Sequence, residues 1–169
     1  MSSTTFAGIV AADAAGLGPW REALRRAGAR LVLTNGCFDL LHTGHLRYLS
    51  EARALGDALV VALNGDASVR RLKGAGRPVL PWAERAELLA GLRVVDAVVG
   101  FDEDTAVSLL RTLRPELYVK GGDYGPGRWP PEADAAREAG AEVRFLGLTA
   151  GRSTSAILRQ LRQDGGGLP

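Results

Sequence analysis

The sequence predicts an α/β fold, a single doubly wound domain around a parallel sheet of about five strands. Three observations carry that expectation. Short, continuously apolar runs recur along the chain, as strands buried on both faces require. A stretch with helical period separates each run from the next. Glycine or proline closes most of the helical stretches. The length, 169 residues, suits one domain with one core, and 46% hydrophobic with 24% charged residues is ordinary globular composition.

The elements follow in order. Residues 1–16 are small and weakly patterned and are expected to be poorly ordered. After Pro19, Trp20, Ala23, Leu24 and Ala27 recur at helical spacing up to Gly28. Leu31-Val32-Leu33-Thr34 reads as a buried strand, Thr43 to Leu55 as a helix stopped by Gly56, and Ala58 to Leu63 as a second strand. A loop leads to a helix from Trp82 to Leu92 and a strand at Val94–Val99. Ala106, Leu109, Leu110 and Leu113 mark a helix ending before Pro115, and Leu117-Tyr118-Val119 is a short strand. Pro131 to Ala139 is a helix closed by Gly140, Val143–Leu146 a last strand and Ser153–Leu161 a last helix. The tail, Asp164 to Pro169, is expected to be poorly ordered.

Composition narrows the function. The net charge of +2 is too small for a dense basic face, so no nucleic acid is expected as a partner. The longest apolar runs are far too short to span a bilayer, and the first 30 residues lack the pattern of a secretory signal. With Cys37 as the single cysteine, an intramolecular disulfide is impossible, which agrees with a cytoplasmic location. Arg70, Arg71, Lys73 and Arg77 form a short basic stretch suited to a small phosphorylated ligand. A solvated surface is the competing reading of that run.

Parallel sheets of this kind bind ligands beyond the carboxyl ends of their strands, and the distinctive residues lie there. Thr34-Asn35-Gly36 ends the first strand, and His42 and His45 stand three apart where the next helix begins. A helix N-terminus offers unpaired N–H groups and a partial positive charge to a phosphate. Glycine at 36 and 44 lets backbone approach the ligand. Two histidines at this spacing could also ligate a metal. Zinc wants a third protein ligand, and with no other histidine in the chain only Cys37 or carboxylates could supply it, so no protein-held metal is expected.

The run Thr34-Asn35-Gly36-Cys37-Phe38-Asp39-Leu40-Leu41-His42-Thr43-Gly44-His45 resembles the signature of the cytidylyltransferase-like nucleotidyltransferases. The resemblance implies a Rossmann-like fold. It also implies attack by a substrate phosphate on the α-phosphorus of a nucleoside triphosphate, with Mg²⁺ accompanying ATP and pyrophosphate leaving. His42 and His45 would then stabilise the transition state at the α-phosphate.

Asn64 to Gly74, Gly76-Arg77-Pro78 and Glu84-Arg85 resemble one branch, the ADP-heptose synthases or heptose 1-phosphate adenylyltransferases. The likeness continues through Phe101-Asp102-Glu103-Asp104-Thr105 and Val119-Lys120-Gly121-Gly122-Asp123-Tyr124. It implies that Lys73, on a glycine-flanked loop, contacts phosphate. Asp39, Asn64, Asp66, Arg77 and Arg85 are assigned to the sugar phosphate. Thr34, Asn35, Gly36, Cys37, Phe38, Gly44, Lys120, Gly121, Gly122 and Asp123 are assigned to the nucleotide. For Gly121-Gly122-Asp123 an ordinary tight turn is the alternative.

Arg152-Ser153-Thr154-Ser155, before the last helix, reads as an N-cap and, by resemblance, as a triphosphate contact. Here the chain departs from the glycerol-phosphate cytidylyltransferases. Their arginine position is occupied by Leu148, and Arg152 stands nearby.

The expected reaction joins ATP and D-glycero-D-manno-heptose 1-phosphate to give ADP-heptose and pyrophosphate. A homodimer and a separate heptose kinase upstream are implied by the resemblance. The alternatives are a cytidylyltransferase acting on glycerol 3-phosphate or a related alcohol phosphate, and a non-catalytic nucleotide-binding module. A redox domain is disfavoured, because no Gly-x-Gly-x-x-Gly follows the first strand.

Overall fold

The computed structural model describes residues 8–122 and 129–147 together with Thr154 and Leu158. In chain order its elements are β1 (Ile9–Ala11), a 3-10 turn (Ala15–Leu17), α1 (Gly18–Arg26), β2 (Leu31–Gly36), α2 (Thr43–Arg53), β3 (Ala58–Asn64) and α3 (Asp66–Lys73). There follow α4 (Trp82–Ala90), β4 (Ala97–Phe101), α5 (Val107–Leu113), β5 (Leu117–Gly121), α6 (Pro131–Glu138) and β6 (Glu142–Leu146). The strands form one parallel sheet in the order β1-β4-β3-β2-β5-β6.

The apolar runs become strands because both faces of the sheet are covered. β3 is the clearest case, with all seven of its residues buried. Ala58, Val60 and Ala62 pack with Leu31 and Leu33 of β2 and Leu110 and Leu113 of α5. Leu59, Val61 and Leu63 pack on the opposite face with Leu49 of α2 and Leu89 of α4. Each such fully buried Leu or Val contributes roughly 1.5–3 kcal/mol, so the period-2 split between two cores fixes the register firmly.

One buried charge ties the edges of this layer together. Arg21 of α1 is 3% exposed and donates to the carbonyls of Leu113 and Arg114 at the end of α5, at 2.8 and 2.6 Å. It also pairs with Glu116 at 2.7 Å. A cation at a helix C-terminus satisfies carbonyls that have no partner within the helix.

The fold differs from expectation in several places. The sheet has six strands rather than about five, and the extra one comes from the stretch read as weakly patterned. Ile9–Ala11 pairs in parallel with Ala97–Val99 at the sheet edge. Three residues, two of them exposed, leave too short a pattern to be seen in sequence.

Asp66–Lys73 is a helix where a loop was expected, so Lys73 stands at a helix end, and Gly74 closes the helix at φ 92°, a conformation that favours glycine. Only Ser68 and Val69 of α3 are buried, too few to show a helical period. β4 starts at Ala97 because Val95 N–H turns back to the Leu92 carbonyl at 2.9 Å. Of the last predicted helix, Thr154 and Leu158 are helical and the rest lies outside the described residues, as do residues 1–7 and the tail from 164. Among the described residues no helix is long and apolar enough to cross a membrane.

The chain runs from β2 outward through β3 to β4, then returns to place β5 on the other side of β2. That reversal opens a crevice above the carboxyl ends of β2 and β5, the position at which such sheets bind ligands.

Candidate active site

A cavity of about 650 Å³ occupies that crevice. It is lined by Asn35, Gly36, Cys37, Phe38, Asp39, His42, Gly44 and His45 from the β2–α2 segment. Asn64, Lys73 and Arg77 enter from the β3 side, Lys120 and Gly121 from β5, and Thr154 from the last helical segment. Fourteen residues assigned from the sequence therefore meet in one cavity. Asp123, Arg152, Ser153 and Ser155 lie outside the described residues. Gly122 follows β5 at φ 136°, a conformation that favours glycine, and donates to the Leu146 carbonyl at 3.3 Å.

The β2–α2 segment is folded tightly. Phe38 adopts φ 43°, unusual for a bulky residue, and its ring turns back into the core at 7% exposure. A Cβ on Gly36 would meet that ring at 3.0 Å, so a larger residue there requires the Phe38 ring to shift. The Phe38 ring lies 5.1 Å from that of His45, and the His42 and His45 rings stack at 3.8 Å with 20° between their planes. Burial and the neighbouring His42 push the His45 pKa down to about 4. At neutral pH His45 is thus an uncharged imidazole that donates one N–H. Its Nδ1 is buried and has no hydrogen-bond partner among the described residues. His42 is the N-cap of α2 without a side-chain cap bond, and its carbonyl accepts from the His45 and Leu46 N–H groups at 2.9 and 3.2 Å, so the amides that an anion could meet at this helix end are those of Thr43 and Gly44.

The charged residues divide into two groups. Lys73 is exposed at the cavity edge, and Lys120 is largely buried within it. Burial lowers the Lys120 pKa, and the Glu132 carboxylate opposes that shift. Burial likewise raises the Cys37 thiol, against the pull of Lys73, Arg85 and Lys120.

The second group is committed to protein atoms. Asp39 accepts from the Arg77 guanidinium and from the backbone of Val79 and Leu80, at 2.7 and 3.3 Å. Arg85 is fully buried and donates to the carbonyls of Leu80 and Cys37 at 3.0 and 2.6 Å, and to Asp66 at 2.6 Å. These two ion pairs clamp the segments after β2, β3 and α3 to one another. The charges of Asp39, Asp66 and Arg85, assigned to the sugar phosphate from sequence, thus face protein partners, and neither Asp66 nor Arg85 lines the cavity. Asn64 lines it while donating to Ser68 at 2.9 Å.

Thr34 is also placed away from the cavity. It is fully buried, and its hydroxyl lies 2.6 Å from that of Tyr48, which donates to the Val119 carbonyl at 3.1 Å. Tyr48 and Glu132 line the cavity and were not singled out in the sequence. Tyr48 follows His45 by three residues on α2, a spacing that could have revealed it. Glu132 offers no such signal, since an acidic residue after two prolines reads as an ordinary helix start.

Comparison with known proteins agrees with this geometry. The family model described as cytidylyltransferase-like matches residues 33–157. Bifunctional protein HldE of Methylococcus capsulatus is 55% identical over 139 residues, 82% of this chain and 29% of HldE. HldE of Geotalea uraniireducens is 52% identical over 141 residues, covering 83% of the chain and again 29% of HldE. The chain thus spans under a third of the length of these relatives.

Among solved structures, a lipopolysaccharide core biosynthesis protein of Thermoplasma volcanium superposes with a TM-score of 0.59 at 26% identity, over 72% of this chain and 98% of that one. A pantoate-beta-alanine ligase of Francisella tularensis, complexed with beta-gamma ATP and beta-alanine, shares the fold at 13% identity and a TM-score of 0.57, over 88% and 69%. A parallel sheet reversing at β2, a histidine pair at the helix that follows it, and a family match across most of its length together make this chain a nucleotidyltransferase of the cytidylyltransferase-like family.

Proposed function

We propose that the chain is an adenylyltransferase that joins ATP to D-glycero-D-manno-heptose 1-phosphate, giving ADP-heptose and pyrophosphate. The carrying observation is the convergence of the stacked His42 and His45, the N-terminus of α2, Lys73 and Lys120 on one cavity. The choice of sugar rests on the resemblance of Asn64–Gly74, Phe101–Thr105 and the segment from Val119 to the ADP-heptose synthases. Identity of 55% with a bifunctional HldE supports it. In the same reading the enzyme works as a cytoplasmic homodimer on a sugar phosphate that a heptose kinase activity supplies.

The sugar phosphate is already a nucleophile at neutral pH, so no covalent enzyme intermediate is needed. One of its oxygens forms a bond to the α-phosphorus of ATP while the bond to the β-phosphate oxygen breaks, and the electron pair leaves with pyrophosphate. The protein's task is to align two anions and stabilise the charge between them. Neutral His45 and its partner His42 donate N–H groups to the α-phosphate, and no general base is required. Lys73 and Lys120 supply positive charge on opposite walls.

Magnesium bound with ATP would supply charge neutralisation on the triphosphate. Among the described residues no three His, Cys, Asp or Glu side chains converge to hold a metal. The cavity carboxylates Asp39, Asp104 and Glu132 already accept from Arg77, Arg71 and Asn35. In this reading the ion would arrive with ATP, since Mg²⁺ is ordinarily bound through substrate phosphates and water.

The test is a pyrophosphate-release panel crossing ATP and CTP with heptose 1-phosphate, glycerol 3-phosphate and phosphopantetheine. Release with ATP and heptose 1-phosphate is expected. Release confined to CTP and glycerol 3-phosphate would overturn the assignment.

A further inference from the structure

The cavity floor holds a buried polar network in which the mechanism above gives no role to the acidic member. Asn35, at the end of β2, accepts on its side-chain carbonyl from the Tyr118 hydroxyl at 2.7 Å and from Lys120 Nζ at 2.8 Å. Its amide nitrogen donates to Glu132 Oε1 at 2.9 Å, and the same carboxylate oxygen stands 3.8 Å from Lys120 Nζ. Glu132 is 4% exposed, and its side chain reaches from the first turn of α6 to the switch point between β2 and β5. A carboxylate buried this deeply costs several kcal/mol unless it is paired and bonded. The core does not call for it, because Ala133 and Ala136 on the same helix are already buried.

We propose that Glu132 is a positioning residue, holding the Asn35 amide and the Lys120 ammonium so that Lys120 meets the phosphates of a nucleoside triphosphate as a cation. The inference rests on reading this cavity as the nucleotide site. The ionisable groups facing Lys120 are Glu132 from α6, Cys37 from the segment after β2, and Lys73 from the end of α3. Glu132 and Cys37 favour the ammonium, while Lys73 and burial oppose it. Asp39 cannot take over, being bound to Arg77. Without Glu132 the ammonium would sit in a part-buried site opposite another lysine, and it would lose its proton at a lower pH.

The experiment measures ATP and CTP affinity by calorimetry across neutral to alkaline pH for wild type, Glu132→Asp, Glu132→Gln and Lys120→Ala. Glutamine keeps an acceptor for the Asn35 amide and removes the charge, whereas aspartate keeps the charge and withdraws it by one methylene. The pH at which affinity falls should drop by about one unit or more in Glu132→Gln and by a smaller step in Glu132→Asp. Above that pH the glutamine variant should bind about tenfold more weakly than wild type, with near-equal binding at neutral pH. Lys120→Ala should lose this alkaline limb altogether.

A glutamine profile superimposable on wild type overturns the proposal. So does an equal loss at every pH, which is what a merely structural role would produce. If the glutamine variant does not fold, the aspartate variant decides, since an unshifted limb there also overturns the proposal. Binding of CTP in place of ATP would sink the adenylyl reading yet leave the Glu132 comparison intact.

Discussion

Acidification should unfold this protein partly through His45. In the unfolded chain its imidazole titrates near 6.5, and in the fold burial and His42 hold it to about 4. Between those values the unfolded state binds the extra proton, so stability is present above pH 6.5 and is lost as pH falls towards 4. At pH 5 most unfolded imidazole is charged and most folded imidazole is neutral, which amounts to about 2 kcal/mol lost relative to pH 7. The ring keeps some contact with solvent, so about 1–2 kcal/mol is the expected size.

The assay is urea unfolding of wild type and His45→Gln at pH 7 and pH 5. Glutamine does not titrate, so the difference between the two pH-dependent losses isolates the contribution. Because His42 stacks on His45, the measurement reports the pair as a unit. A differential loss below about 0.5 kcal/mol would refute the buried, mutually repelling stack. A loss that grows as pH rises would refute its sign.

Two further outcomes follow from the site. His45→Ala should lower turnover by ~10²-fold or more, the scale of removing a transition-state donor, with the circular dichroism spectrum intact; near-wild-type turnover would remove His45 from the mechanism. Arg85→Met should cost about 3 kcal/mol of stability, since it leaves the Asp66 carboxylate and two carbonyls without their buried donor. A variant within about 0.5 kcal/mol of wild type in urea unfolding would show that the clamp contributes nothing.

Much of the fold was legible because its signals are local. Ala58–Leu63 reads as a strand buried on both sides, and the structure buries all of Ala58–Asn64. The helix expected from Thr43 begins there, since His42 is extended and the hydrogen-bonded turn follows it. β1 and α3 were missed for a common reason. Each is short and buries two residues or fewer, so neither repeats its pattern long enough to be distinguished from loop.

The site was legible to a similar depth. The cluster of His42, His45, Lys73 and Lys120 is visible because those residues sit at the ends of predicted elements. The partners of Asp39 and Arg85 are not, because Arg77 is 38 residues from Asp39 and Cys37 is 48 from Arg85. A charge beside a phosphate loop looks the same in sequence whether it meets ligand or another charge. Glu132 is hidden for the same reason, 97 residues from the Asn35 amide that it accepts from.

The Arg85 clamp has a bearing on how this cavity could be altered. Two of its three bonds go to main-chain oxygens, those of Cys37 and Leu80, which every amino acid carries. The position of both segments is therefore stored in one side chain elsewhere, on α4, and the side chains at 37 and 80 are released from that duty. The cavity wall can accordingly change its chemistry at position 37 while its shape is inherited unchanged. A new substrate preference could be written there by substitution alone, without first rebuilding the loop.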